Sequence, residues 1–288
     1  MKNRILATTL AILLCLSLAA CSGAPAEESP APDETAAPSP TPAPSAEPEE
    51  TQAPPPEDLR ISVLLQPKSE LRDSEGSLVF LGYYSEPVVT VSASSTASYR
   101  ISSALASRLA KGGAQADEIF EQAEDEFKTL SEEERALFLP RSLTRTASVE
   151  RGDGAVLSLL CVDYAYTGGS HGKGDYVGMC FNTMTGAKLA LSDIFTDTGA
   201  LGAKAAEAVE AQAAAMDESE GFSGLREFVD SALEGGHWYL NNEGLALVAS
   251  EGEIAPESDG SFTFVLPYAE LEGLIKPEYV PASAPEGA

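Results

Sequence analysis

From residue 59 onward, apolar positions follow two patterns. Some lie in short runs with strand character; others recur every three or four residues, as on one face of a helix. Leu59–Leu65 reads as a first strand, with a turn near Pro67, and Leu78–Tyr84 and Pro87–Val91 are two further extended runs. Ile101, Leu105 and Leu109, with Ala104 between them, predict a helix that begins after Thr96 and ends at Gly112-Gly113. Ile119, Phe120, Ala123, Phe127 and Leu130 share one face of a second helix, with Glu121, Glu124, Asp125 and Glu126 elsewhere on it. Ser131-Glu132-Glu133-Glu134 has the form of a capping box and opens a short third helix that stops before Pro140.

Strands resume at Leu143–Glu150. Asp153-Gly154 is a hairpin signal, so Ala155–Asp163 returns antiparallel, passes a glycine-rich loop and continues as Asp175–Asn182. A turn at Thr183–Gly186 leads to Lys188–Leu191, and Ser192-Asp193 opens a turn or short helix carrying Ile194 and Phe195. The alanine-rich Ala200–Met216 and the amphipathic Phe222–Leu233, stopped by Gly235-Gly236, are helical. Trp238–Leu240 and Leu245–Ala249 form a hairpin around Asn242-Glu243-Gly244; Phe262–Leu266 is the last strand and Leu271–Ile275 a short amphipathic tail. Runs of strands with helices between them predict an α+β fold: an antiparallel β-sheet with helices packed mainly on one face, and a hairpin-rich C-terminal half. The expected division is an N-terminal sub-region at 58–145, a C-terminal domain at 146–280 and a disordered tail at 281–288.

The first 57 residues show neither pattern. Lys2 and Arg4 precede an apolar run, Ile5–Leu18, too short for a stable transmembrane span, and Leu18-Ala19-Ala20-Cys21 has the form of a bacterial lipobox. Residues 1–20 are therefore read as a signal peptide and Cys21 as the lipidated residue that anchors the protein to the outer face of the cytoplasmic membrane or envelope. Buried acyl methylenes, at about 0.8 kcal/mol each, supply that anchorage. Residues 22–57 hold Pro-rich repeats, eight acids and no base, and read as a disordered linker. At roughly 3.1 Å per residue such a chain reaches about 110 Å. The formal charge is −27, and −29 once Lys2 and Arg4 leave with the signal. Such acidity argues against nucleic acid as a partner and favours a basic protein.

Candidate chemistry gathers in Tyr164-Ala165-Tyr166-Thr167-Gly168-Gly169-Ser170-His171-Gly172. Its glycines open backbone angles closed to other residues, so a rigid sheet can present a sharply turned tip. Tyr164, Tyr166, Thr167, Gly168, Gly169, Ser170, His171 and Gly172 are the candidate ligand contacts, and Ile254-Ala255-Pro256 is a candidate second loop. Cys161 and Cys180 lie almost symmetrically about the first loop; a disulfide and two buried free thiols both fit that spacing. The histidines are His171 and His237, and no His-Glu-x-x-His helix, Gly-x-Ser-x-Gly elbow or Cys-x-x-Cys pair occurs. No catalytic residue, metal ligand or cofactor is therefore assigned.

Four stretches in this order resemble the signature of a bacterial extracytoplasmic domain family: Tyr164–Gly172; Phe181–Leu189 with its Thr185-Gly186 turn; Leu191-Ser192-Asp193-Ile194-Phe195; and Trp238–Leu245 with Ile254-Ala255-Pro256 and Phe262–Leu271. The family includes the outer region of RsiV, a lysozyme-sensing anti-sigma factor, and the non-catalytic part of the peptidoglycan deacetylase PdaC. The likeness covers about 150–275. In that family tyrosines commonly flank the Ile-Ala-Pro element, where this sequence has Gly252 and Glu257. The resemblance implies a cell-surface lipoprotein acting as a non-catalytic binding module, for a cell-wall glycan such as peptidoglycan or for a lysozyme-like basic protein. The alternatives are a wall-polymer hydrolase using His171 and nearby carboxylates such as Asp163 and Asp175, or a structural envelope lipoprotein.

Overall fold

The computed structural model describes residues 59–216 and 221–282. The signal peptide, Cys21, the linker and all but the first two residues of the 281–288 tail lie outside the described residues.

Strands β1 (Ile61–Ser74) and β2 (Ser77–Val91) form one long antiparallel hairpin, turned at Glu75-Gly76, where both residues have positive φ. The turn expected near Pro67 is absent. Pro67 lies inside β1, the edge strand of its sheet, where a missing N–H is tolerated. Pro87 lies inside β2, beyond Phe80–Tyr84, the stretch that pairs with the next strand. The two runs expected here are thus a single strand. Its pattern does break: Phe80, Gly82 and Tyr84 are buried in even register, Val89 and Val91 in odd register.

Helix α1 (Ser95–Thr129) has 35 residues and passes straight through Gly112-Gly113. At 1.5 Å per residue it spans about 52 Å, long enough for the crossover that a parallel strand pair requires. That pair is β2 with β3 (Arg141–Gly152). The reason Gly112 does not stop the helix is tertiary: Arg145 of β3 lies against it, donating to the Arg108 and Leu109 carbonyls at 3.3 and 3.4 Å, and a methyl on Gly112 would overlap its guanidinium. The short α2 (Glu132–Arg135) has the expected capping box on Ser131 and Glu134.

β3, β4 (Val156–Tyr166) and β5 (Lys173–Asn182) are joined by antiparallel hairpins, which completes a five-stranded sheet in the order β1-β2-β3-β4-β5. The first hairpin turns where Asp153 accepts the Ala155 and Val156 amides, both at 2.8 Å. The boundary expected between 145 and 146 falls inside β3, and the sheet is continuous across it. After α3 (Leu191–Ile194), α4 (Thr198–Ala214) and α5 (Leu225–Gly235), three short strands, β6 (Trp238–Leu240), β7 (Gly244–Ala249) and β8 (Phe262–Pro267), make a separate antiparallel sheet.

The α+β class is as expected, and its strands divide into two sheets. α1 covers one face of the large sheet: Ala97, Ile101 and Leu105 pack with Leu157, Leu159 and Cys161. On the opposite face Leu160 and Tyr176 meet Tyr239, Ala246 and Val248 of the small sheet. Alternate residues of the small sheet, including Leu240, Leu247 and Phe264, point the other way into the core formed with α4 and α5. Fully burying each such side chain contributes about 1.5–3 kcal/mol.

The near-symmetric spacing of Cys161 and Cys180 does not make them neighbours. Cys161 pairs with Val177 and Cys180 with Ser158, so their positions differ by an odd number and they point to opposite faces. Cys161 packs under α1 and Cys180 in the core beneath α4 and α5. Both are buried free thiols, and burial pushes both pKa values up. The disulfide is ruled out by this geometry.

Candidate functional site

The β4–β5 hairpin carries the glycine loop at its tip. Gly168 and Gly169 adopt φ of +117° and +87°, and a Cβ on Gly168 would sit 2.8 Å from the Arg141 guanidinium. Two candidate side chains close the loop on itself: the Tyr164 hydroxyl accepts the Gly172 N–H at 2.9 Å, and the Tyr166 hydroxyl donates to the Gly169 carbonyl at 3.0 Å. Arg141, paired with Glu126 at 2.5 Å, stands 5.7 Å from the Tyr166 ring centre. Thr167, Gly169, Ser170 and His171 are exposed, while Tyr164, Tyr166, Gly168 and Gly172 are half-buried.

The second loop meets the first. His171 Nε2 lies 3.2 Å from Glu257 Oε2, with side chains 52% and 53% exposed. Glu251 accepts the Gly174 N–H at 3.1 Å and the Tyr176 hydroxyl at 2.8 Å, which ties the 250–253 turn to β5. Burial, and then the Glu251 carboxylate, push the Tyr176 phenol above its ordinary range. Gly252, at φ +77°, leaves room for Glu257; a Cβ there would lie 2.6 Å from Glu257 Cγ. Gly252 and Glu257 thus pack on each other, and the Glu257 carboxylate reaches His171. Ile254 is 1% exposed and belongs to the core, so it anchors this loop instead of meeting a ligand. Ala255 is half-buried and Pro256 exposed.

Asp163 is not a partner of His171. It bonds Arg145 at 2.6 Å and also Arg108. Asp175 is exposed. A cleft of about 600 Å³ lies between the tip end of the hairpin and the 250–253 turn, lined by Asp163, Thr167, Lys173, Asp175, His237 and Glu251 among others. The His237 Nδ1 atom is buried there without a hydrogen-bond partner. Among the described residues no group of three or more His, Cys, Asp or Glu side chains is placed to hold a metal ion. The sequence names Glu257 and His237 without giving either a role at the site, and it does not point to Glu251, which reaches Gly174 across 77 residues with nothing local to signal the contact. It also missed a groove of about 930 Å³ lined by Leu191, Gly202, Ala203, Arg226, Leu233, Trp238 and their neighbours.

Residues 192–269 match the family described as "Protein of unknown function (DUF3298)". A DUF3298 domain is present. It spans α4, α5, the small sheet and the second loop, and the glycine loop lies before it in the chain. Two solved structures share the fold. One is a DUF3298 family member from Bacteroides fragilis NCTC 9343, with TM-score 0.56 and 15% identity, covering 77% of this chain and 95% of that one. The other is a DUF3298 family protein from Pseudomonas aeruginosa PAO1, with TM-score 0.52 and 17% identity, covering 78% of this chain and 98% of that one. No curated protein matches the chain.

Proposed function

We propose that the protein is a non-catalytic binding module, held outside the cell by lipid on Cys21, whose contact rim is the glycine loop with the 250–259 segment. Its partner on this reading is a basic protein such as lysozyme. The observation that carries the reading is the meeting of the two loops at His171 and Glu257, braced by Glu251. On this rim Asp175, Glu251, Glu253, Glu257 and Asp259 stand against Lys173 and His171. Opposite charge on a partner speeds encounter, and salt screens that effect. Loops already closed by their own hydrogen bonds lose little further freedom on binding. The resemblance of the motif order to the outer region of RsiV supports the same reading.

Acid–base hydrolysis fits the geometry less well. The carboxylate at His171 is Glu257, and the pair stands on an open rim with both side chains about half exposed. Surface plasmon resonance with hen egg-white lysozyme, at 50 and 300 mM salt, tests the proposal. Binding should weaken with salt, and the paired reversal Glu253→Lys with Glu257→Lys should weaken it about tenfold or more, or about 1.4 kcal/mol. Affinity unchanged by both perturbations refutes the proposal. Muropeptide release by the purified protein, abolished in His171→Ala, would establish the hydrolase instead.

A further inference from the structure

A second surface lies on the large sheet, on the face turned away from α1. Strand register sets its side chains in rows: Tyr83, Thr144 and Tyr164 in one, and Leu81, Ser142 and Tyr166 in the next. The small sheet and the chain leading into it cover this face at its far end, over Ser158, Leu160, Tyr176 and Gly178. Toward β1 it is open, with Leu71 65%, Leu81 41% and Tyr83 46% exposed. In a chain of net charge −27, neither these rows nor Ser69, Leu71 and Thr146 beside them hold a charged side chain. Of the charges on the same strands, Glu70, Arg72, Arg141 and Arg145 alternate to the α1 side, where they pair with one another or with Asp117, Glu126 and Asp163, and Asp73 borders the face beyond Leu71. The hydroxyls of Tyr83, Ser142 and Thr144 make no hydrogen bond to any described residue.

We propose that this face binds an uncharged glycan strand. A sugar unit presents flat C–H faces ringed by hydroxyls that both donate and accept. The face offers the complement: tyrosine rings for the C–H surfaces, and free hydroxyls that themselves donate and accept. Strands about 4.8 Å apart put Tyr83 and Tyr164, on either side of Thr144, about 9.6 Å apart, so the two rings sit under different sugars of one strand. Its carboxylates, Asp73 and Glu251, stand at its borders, so no acidic patch lies at its centre to attract a basic protein. With hydroxyls on most of its positions, it is more polar than the core of a stable dimer interface. The face adjoins the acidic rim at Tyr164 and Tyr166, which close the glycine loop, and Tyr83 and Thr144 belong to the face alone.

Isothermal titration calorimetry of the protein with the uncharged N-acetylglucosamine hexamer, at 50 and 500 mM salt, tests this. The expected result is binding that salt changes less than twofold. Tyr83→Ala should weaken it at least fivefold, and Thr144→Asp, which places a charge at the centre of the face, should abolish it. The Glu253→Lys, Glu257→Lys pair should leave it unchanged. Circular dichroism and thermal melting establish that each variant folds, and two independent substitutions guard against the failure of one. No heat with the hexamer overturns the proposal, as does hexamer affinity retained in Thr144→Asp. Self-association in sedimentation that Thr144→Asp abolishes also overturns it, because the face would then be a contact between copies of the chain.

Discussion

Replacing Gly112 and Gly113 separately with alanine should move stability in opposite directions, although the two residues are adjacent in one helix. Intrinsic propensity favours alanine over glycine by about 1 kcal/mol at an interior helical position. At Gly113 nothing lies within 4 Å of the new methyl, so the full gain of about 1 kcal/mol is expected. At Gly112 the methyl occupies the space of the Arg145 guanidinium, whose side chain is 5% exposed and bonded to Asp163 at 2.6 Å. Separating a buried pair by removing one partner costs about 3–5 kcal/mol. Asp163 keeps Arg108, so roughly 2–4 kcal/mol is the expected loss here. Less the propensity gain, Gly112→Ala should destabilise by about 1–3 kcal/mol, and the two variants should differ by about 2–4 kcal/mol. Urea unfolding followed by circular dichroism and by the fluorescence of Trp238, which is 7% exposed, reads both. Coincident transitions by the two probes justify the free-energy comparison. Equal stability of the two variants would show that Arg145 does not hold the helix at Gly112.

Three further outcomes follow from buried groups elsewhere. Arg151 is 1% exposed and donates to Asp153 at 2.6 Å, to the Tyr268 hydroxyl at 2.8 Å and to the Tyr279 carbonyl at 2.5 Å. Arg151→Met should therefore cost about 3 kcal/mol and lower the urea midpoint by about 1–1.5 M; a loss under about 1 kcal/mol would show that these bonds do not hold the three segments together. Burial, opposed by Arg151, pushes the Tyr268 pKa up to about 12. An unfolded tyrosine ionises near about pH 10, so this group's contribution is intact below that pH and is lost as pH rises toward 12, by about 2–3 kcal/mol. Tyr268→Phe should flatten that part of the stability profile, measured as urea midpoints between pH 9 and 12. Cys161 and Cys180 should resist alkylation in the native protein and react fully in denaturant; a Cys161–Cys180 crosslink in a peptide map would contradict the strand register.

What the sequence made legible was mostly local chemistry. Asp153 bonds its own turn, Ser131 and Glu134 cap each other, and the glycine loop joins two strands as expected. The errors came from partners far along the chain. Gly112-Gly113 reads as a helix stop because the reason it is not one, Arg145, lies 33 residues away. Pro67 and Pro87 read as breaks because their tolerance depends on which strand edges the sheet leaves unpaired. The spacing of the cysteines opposes them in a hairpin centred between Ser170 and His171, whereas the register centres it on Gly169 and sends the two thiols to opposite faces. At the site, the tip was visible and its brace was not. The sequence points to His171, but its partner Glu257 comes from a loop 86 residues on, and Ile254, a candidate contact by sequence, is that loop's anchor.

The most direct measurement of the central claim is amide hydrogen exchange on the protein with and without saturating lysozyme. The account predicts slowed exchange in residues 167–174 and 250–259 together, with the α4–α5 groove unchanged. Slowed exchange confined to that groove, or to neither loop, would contradict it.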